Sequence, residues 1–154
     1  MWNTRHYGMS YAQLYFHIVF GTKDHVPLIA HRWEDEMYRY LGGIIRGQKN
    51  EPIEINGMPE HVHVLLRSSP VIAISDLVRE LKANSSKWAR RTHEPKFGWQ
   101  RRFGAFTVSE SSVDTVRRYI QRQKQHHQKQ TFENEYRELL RLHHIEFDDR
   151  YLWD

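Results

Sequence analysis

Residues 11–23 alternate: Leu14, Phe16, Ile18 and Phe20 fall on one side of an extended chain, and Tyr15, His17 and Val19 on the other. A period of two fits a strand and not a helix, and it leaves one wholly apolar face that must be buried. A chain of 154 residues is the length of one ordinary domain, so this strand should anchor a single unit over residues 1–154. Between residues 32 and 48, Trp33, Met37, Tyr40, Leu41, Ile44 and Ile45 recur at three- and four-residue spacing and predict a first helix. Two short strands follow, one around Ile53 and Ile55 and one from His61 to Leu66, with Asn56-Gly57 read as a turn dipeptide and Pro59 lengthening the loop. Ser75-Asp76 opens a long basic helix carrying Leu77, Val78, Leu81 and Trp88, and residues 105–109 give a fourth strand. Ser111-Ser112-Val113-Asp114 reads as a capping sequence for a helix running to about residue 130. Residues 131–145 are again helical, with Phe132, Tyr136, Leu139, Leu140 and Leu142 as an apolar stripe. The order β-α-β-β-α-β plus C-terminal helices is that of an α+β, ferredoxin-like (RRM-like) sandwich, an antiparallel sheet covered by helices on one face. Its core is expected over about residues 11–130, with a helical tail over 131–154.

Leu, Ile, Val and Phe supply about a quarter of the chain, too much apolar material for general disorder. No window approaches 18 consecutive apolar residues, and the first residues lack the charged-then-apolar pattern of a signal peptide. The expected setting is therefore cytoplasmic, with no membrane partner. The absence of cysteine excludes disulfides, thiolate metal sites and a cysteine nucleophile. Any metal must rest on His, carboxylate or amide ligands.

The net charge of +4 hides an asymmetry. Residues 79–130 hold 13 Lys/Arg against 4 Asp/Glu, whereas residues 131–154 hold 3 against 7. The basic stretch is interleaved with Trp88, Phe97, Trp99, Phe103, Phe106 and Tyr119. Cations release counterions from phosphates and rings stack on bases, so a polyanion partner fits this pattern. A solvated helix face fits it too.

His61-Val62-His63 carries the most chemistry, because side chains at i and i+2 of a strand leave the same face. Two imidazoles so placed can share one divalent ion; they can also simply decorate an exposed strand. Tyr119 and Gln123, four apart on a helix, share a side distinct from the Val113, Val116, Ile120 stripe. A phenol can attack phosphorus if a metal draws charge from the phosphate, and Gln123 would add a neutral oxygen to the His61 and His63 ligand set. Tyr119 alone reads equally as a packing aromatic.

These residues resemble those of the single-tyrosine HUH transposases of the insertion sequence 200/605 family, named for two histidines flanking a hydrophobic residue. The matching segments are Val19-Phe20-Gly21-Thr22-Lys23, Met58-Pro59-Glu60-His61-Val62-His63-Val64-Leu65, Leu77-Val78 through Lys82 to Ser85-Ser86-Lys87-Trp88, Trp99-Gln100-Arg101, Gly104-Ala105-Phe106, Val108-Ser109-Glu110-Ser111, and Tyr119-Ile120 with Gln123 and His126-His127. The resemblance implies an enzyme that cuts and rejoins single-stranded DNA, with Tyr119 forming a 5′-phosphotyrosine and Mg²⁺ or Mn²⁺ held by His61, His63 and Gln123. It further implies a homodimer with composite active sites and DNA hairpins as partners. Arg79, Lys82, Lys87, Arg90, Arg91, Arg101 and Arg102 are the expected hairpin face. Glu60 stands where the family pattern has Asp, and Arg102-Phe103 where Gly-Tyr is common. His17 reads as a sheet histidine that could lie near the metal, and His126 and His127 have no assigned role.

Two rivals remain at this stage. A non-catalytic RNA- or DNA-binding module on the same fold fits poorly, because Arg101-Arg102-Phe103-Gly104-Ala105-Phe106 lacks the second-position Gly of the RNA-recognition octapeptide. A metal-dependent phosphodiester hydrolase would make Tyr119 dispensable and needs a general base; beside the histidines, sequence offers only Glu60.

Overall fold

The computed structural model describes residues 11–153. Four strands, β1 (Leu14–Gly21), β2 (Glu51–Met58), β3 (His61–Ser68) and β4 (Gly104–Val108), form one sheet in the order β2-β3-β1-β4. Every neighbouring pair is antiparallel. Helices α1 (Glu34–Gly47) and α2 (Ile74–Thr92) supply the two crossovers, and α3 (Val113–Gln121), α4 (Gln123–His126) and α5 (Phe132–Leu142) follow β4. The α+β, ferredoxin-like sandwich is thus the observed architecture.

Coverage of the sheet departs from expectation, because helices bury both faces. Ile18 and Phe20 of β1 and Val62 and Val64 of β3 pack with Met37, Leu41 and Ile45 of α1 and Leu77, Val78 and Leu81 of α2. On the opposite face Val19 and Phe106 meet Phe132, Tyr136 and Leu140 of α5, together with Leu152. The stripe read in the tail therefore seals the second face, and β1 is buried on both sides from His17 onward. Phe20 is fully buried and stands edge-on to Trp99, with ring centroids 4.8 Å apart. Phe20→Ala should cost about 3–5 kcal/mol, read as a lower urea midpoint; a loss within error would mean the β1–α2 interface is not closely packed.

Three local readings are corrected. Asn56 and Gly57 are not the turn: they lie inside β2, paired with His63 and Val62, and the connection is Pro59-Glu60. Glycine at 57 answers to contact, since a Cβ there would stand 2.1 Å from the His61 carbonyl oxygen. Neither α2 nor α3 has the side-chain cap expected from Ser75-Asp76 and Ser111–Asp114; the serine hydroxyls at 109, 111 and 112 bond to one another instead. The helix expected to reach residue 130 breaks at Arg122 and resumes only as far as His126. Asn56 Nδ2 donates to the Ile120 carbonyl, 2.9 Å away, and more weakly to that of Gln121, so the carbonyls freed at the break are held by β2. Lys124 adds bonds to the Gly57 carbonyl and, at 3.1 Å, to Glu34. No described helix is long and apolar enough to cross a membrane.

Candidate active site

β3 presents His61 and His63 to the face covered by α3–α5, opposite Val62 and Val64, as the i, i+2 spacing requires. That face is closed rather than exposed: His61 and His63 are each 0% accessible. The break at Arg122, fixed by Asn56 and Lys124, turns Gln123 inward, and it too is 0% accessible. Its Oε1 lies 3.1 Å from His61 Nε2. Tyr119, half-buried one turn earlier, brings its ring centroid within 5.8 Å of that of His63. His61, His63, Gln123 and Tyr119, read from two separate segments of sequence, thus converge within one chain.

Sequence reading missed the residue at the middle of the group. Glu135 on α5 is 2% accessible, and its Oε1 lies 3.0 Å from His63 Nε2, 3.4 Å from His61 Nε2 and 3.1 Å from His127 Nε2. Its Oε2 accepts from Gln123 Nε2 at 3.0 Å and from the Tyr119 hydroxyl. Glu60, which the sequence offers alone beside the histidines, is therefore joined by a second and more deeply buried glutamate. A signal was present: residue 135 falls on the same stripe as Phe132, Tyr136 and Leu139, and a carboxylate on an apolar face calls for a partner. Phe132, from the same turn, stacks on His61 at 4.1 Å between centroids.

The outer partners sort the histidines. His61 Nδ1 meets Glu60 Oε1 at 2.9 Å, and His63 Nδ1 meets His17 Nε2 at 2.8 Å. His17 is hence a buried sheet histidine satisfied by a site histidine. His127 enters the group; His126 packs its ring on Tyr119, at 4.6 Å between centroids. Burial disfavours a charge on His61, but hydrogen bonds to Glu135 and Glu60 outweigh it and raise its pKa. For His63 burial wins, and its pKa is pushed down to about 4. Burial and the Glu135 charge raise the Tyr119 phenol well above its ordinary value, while the three imidazoles hold the Glu135 carboxyl well below its own despite burial.

Neutral His63 makes the fold pH-sensitive. The unfolded chain takes up this proton near the ordinary 6.5 and the folded chain near about 4, so His63's contribution falls as pH drops through that window and levels off below it. His61 acts oppositely, its contribution being lost as pH rises through its raised value. Urea midpoints should fall less steeply between pH 6.5 and 4 in His63→Gln than in the parent; identical slopes would mean His63 is protonated in the fold.

The expected hairpin face is only partly gathered. Arg79, Lys82, Arg90 and Arg101 line one open groove between α2 and the segment around Trp99, whereas exposed Lys87 and Arg91 are outside its lining, as is Arg102. Lys82 is committed elsewhere: its ammonium donates to the carbonyls of Gln100, Arg101 and Arg102, and burial lowers its pKa to about 8. Trp99 and Gln100 act as braces, Trp99 Nε1 donating to Ser85 and Gln100 Oε1 accepting from the Gly21 amide. A second open groove lies against Tyr119 itself, lined also by Arg118, Arg122 and Lys129, which were not singled out in the sequence.

The arrangement is thus a helix-borne tyrosine set against two strand-borne histidines on a ferredoxin-like sheet. Two solved structures share the fold: a transposase of Deinococcus radiodurans R1, with TM-score 0.61, 24% identity and coverage of 75% of this chain and 94% of that one; and a REP-associated tyrosine transposase bound to a REP hairpin, with TM-score 0.59, 18% identity and coverage of 79% and 73%. The ISDra2 transposase TnpA of Deinococcus radiodurans is 29% identical over 118 residues, 72% of this chain and 84% of that protein. The model of the family described as "Transposase IS200 like" matches residues 10–123. This chain belongs to the IS200-like transposase family, and its class of activity is DNA transposition.

Proposed function

We propose that the protein is a single-tyrosine HUH transposase that cuts and rejoins single-stranded DNA in the cytoplasm through a 5′-phosphotyrosine. The observation that carries this reading is the convergence of Tyr119, His61, His63 and Gln123 within one chain. In the cleavage step the Tyr119 oxygen, having given up its proton, attacks the scissile phosphorus. The bond from phosphorus to the 3′ oxygen breaks, and that oxygen leaves as a 3′-hydroxyl after taking up a proton. Because the phosphotyrosine keeps the energy of the broken linkage, a second 3′-hydroxyl can attack it, release Tyr119 and reseal the strand without ATP.

The donor set fits a divalent ion, since imidazole nitrogens and amide and carboxylate oxygens converge in a buried cluster. His61, His63 and Gln123 would hold Mg²⁺ or Mn²⁺, which when bound would draw charge from the phosphate and lower the cost of forming the phenolate. Tyr119 needs that help, its own pKa being raised by burial and by Glu135. A homodimer with composite sites is implied by the resemblance; within one chain the Tyr119 ring already lies 5.8 Å from that of His63. We assign hairpin binding to the α2 groove through Arg79, Arg90 and Arg101, with Lys87, Arg91 and Arg102 outside its lining and Lys82 as its brace.

A single-stranded oligonucleotide carrying a hairpin, incubated with the protein and Mn²⁺, should yield an adduct that survives denaturing electrophoresis and disappears with chelator. Metal-dependent cleavage with no adduct would instead support the hydrolase. Replacing Arg79 and Arg90 together by Ala should flatten the salt dependence of hairpin affinity by about two units of slope; an unchanged slope would move the hairpin face elsewhere.

A further inference from the structure

The polar side chains of the centre converge on one buried space. Glu135 Oε2 is satisfied, accepting from the Tyr119 hydroxyl and from Gln123 Nε2. That second bond fixes the Gln123 amide so that its Oε1 faces His61 and His127, 3.1 Å from the Nε2 of each. Glu135 Oε1 faces the same space and lies within 3.0–3.4 Å of three imidazole nitrogens. The ligand atoms of His61, His63 and Glu135 all lie within 4.8 Å of one another, and all three side chains are buried. Two imidazoles, an amide oxygen and a carboxylate oxygen facing one buried space form the inner surface of a cation site.

We propose that Glu135 is an anionic ligand of the divalent ion through Oε1, and that through Oε2 it positions the Tyr119 hydroxyl beside that ion. This rests on the function proposed above and deepens it. The amide-oxygen set of His61, His63 and Gln123 becomes two imidazoles, an amide and a carboxylate. One side chain then links nucleophile to metal. The carboxylate lies outside residues 10–123, which the family model covers, so α5 completes the centre as well as sealing the sheet. A carboxylate also reconciles an imidazole pair with a hard ion, since Mg²⁺ and Mn²⁺ favour oxygen.

Manganese binding tests the assignment without DNA. Full-length protein is titrated with Mn²⁺ by electron paramagnetic resonance, alongside Glu135→Gln, Glu135→Ala and His61→Ala, and each thermal midpoint is recorded with and without Mn²⁺. Glu135→Gln keeps the shape and removes the charge; it should weaken Mn²⁺ binding by at least ~10-fold, as outer-sphere substitutions already cost that much, and should shrink the Mn²⁺-induced rise in midpoint. Glu135→Ala should do the same if its metal-free circular dichroism matches the parent; if it does not fold, Glu135→Gln decides. Unchanged affinity in Glu135→Gln overturns the proposal. Tighter binding overturns it too, because Glu135 would then occupy the ion's place rather than hold it. A parent protein that binds no Mn²⁺ overturns both this proposal and the metal-dependent reaction, whereas adduct formation with an unaffected Glu135→Gln overturns this proposal alone.

Discussion

Tyr119→Phe is expected to abolish the covalent DNA adduct while leaving hairpin binding intact. The substitution removes one oxygen and keeps the ring that packs near His63 and against His126. Without that oxygen no bond to phosphorus can form, so the loss should be complete rather than partial. The groove assigned to the hairpin lies between α2 and the Trp99 segment and does not include Tyr119, so affinity there should stand. The same oxygen donates to Glu135, and its removal should cost about 1–2 kcal/mol of stability, seen as a modest fall in the urea midpoint. Cleavage that persisted in Tyr119→Phe would assign the reaction to water and favour the hydrolase.

His63→Ala should lower adduct formation roughly a thousand-fold, because several kcal/mol of charge stabilisation at the phosphate are lost with a ligand. The variant also removes one of the buried partners of Glu135 and the hydrogen-bond partner of the His17 ring, so its fold should be checked by circular dichroism. His61→Ala should behave alike, with Glu60 losing the partner that holds its carboxyl below the usual range. Rates within ten-fold of the parent at saturating Mn²⁺, in either folded variant, would remove that histidine from the ligand set.

The outline of this centre was written in local patterns. An alternation of two made β1 and β3 strands, and the same period placed His61 and His63 together and Val62 and Val64 opposite. The four-residue spacing of Tyr119 and Gln123 marked them as a pair, although the break at Arg122 places them on α3 and α4. What escaped was tertiary. Whether β1 has one covered face or two depends on α5 folding back over Val19 and Phe106, which no property of β1 encodes. The Asn56-Gly57 dipeptide is compatible with a turn, but the close approach of Gly57 to the His61 carbonyl overrides that preference. The break at Arg122 depends on Asn56 and Lys124 reaching across from their own elements. Glu135 was visible as a carboxylate on an apolar stripe, yet the two strand histidines it meets, His63 and His61, lie 72 and 74 positions away. Lys82 looked like a phosphate ligand because charge is legible in sequence and commitment to three carbonyls is not.

Tandem mass spectrometry of the trapped protein–oligonucleotide adduct is the most direct test of the whole account. A nucleotide attached through its 5′-phosphate to the peptide containing Tyr119, accompanied by a released strand ending in a 3′-hydroxyl, is the predicted result. Attachment at another side chain, or products bearing a free 5′-phosphate with no protein bound, would contradict it.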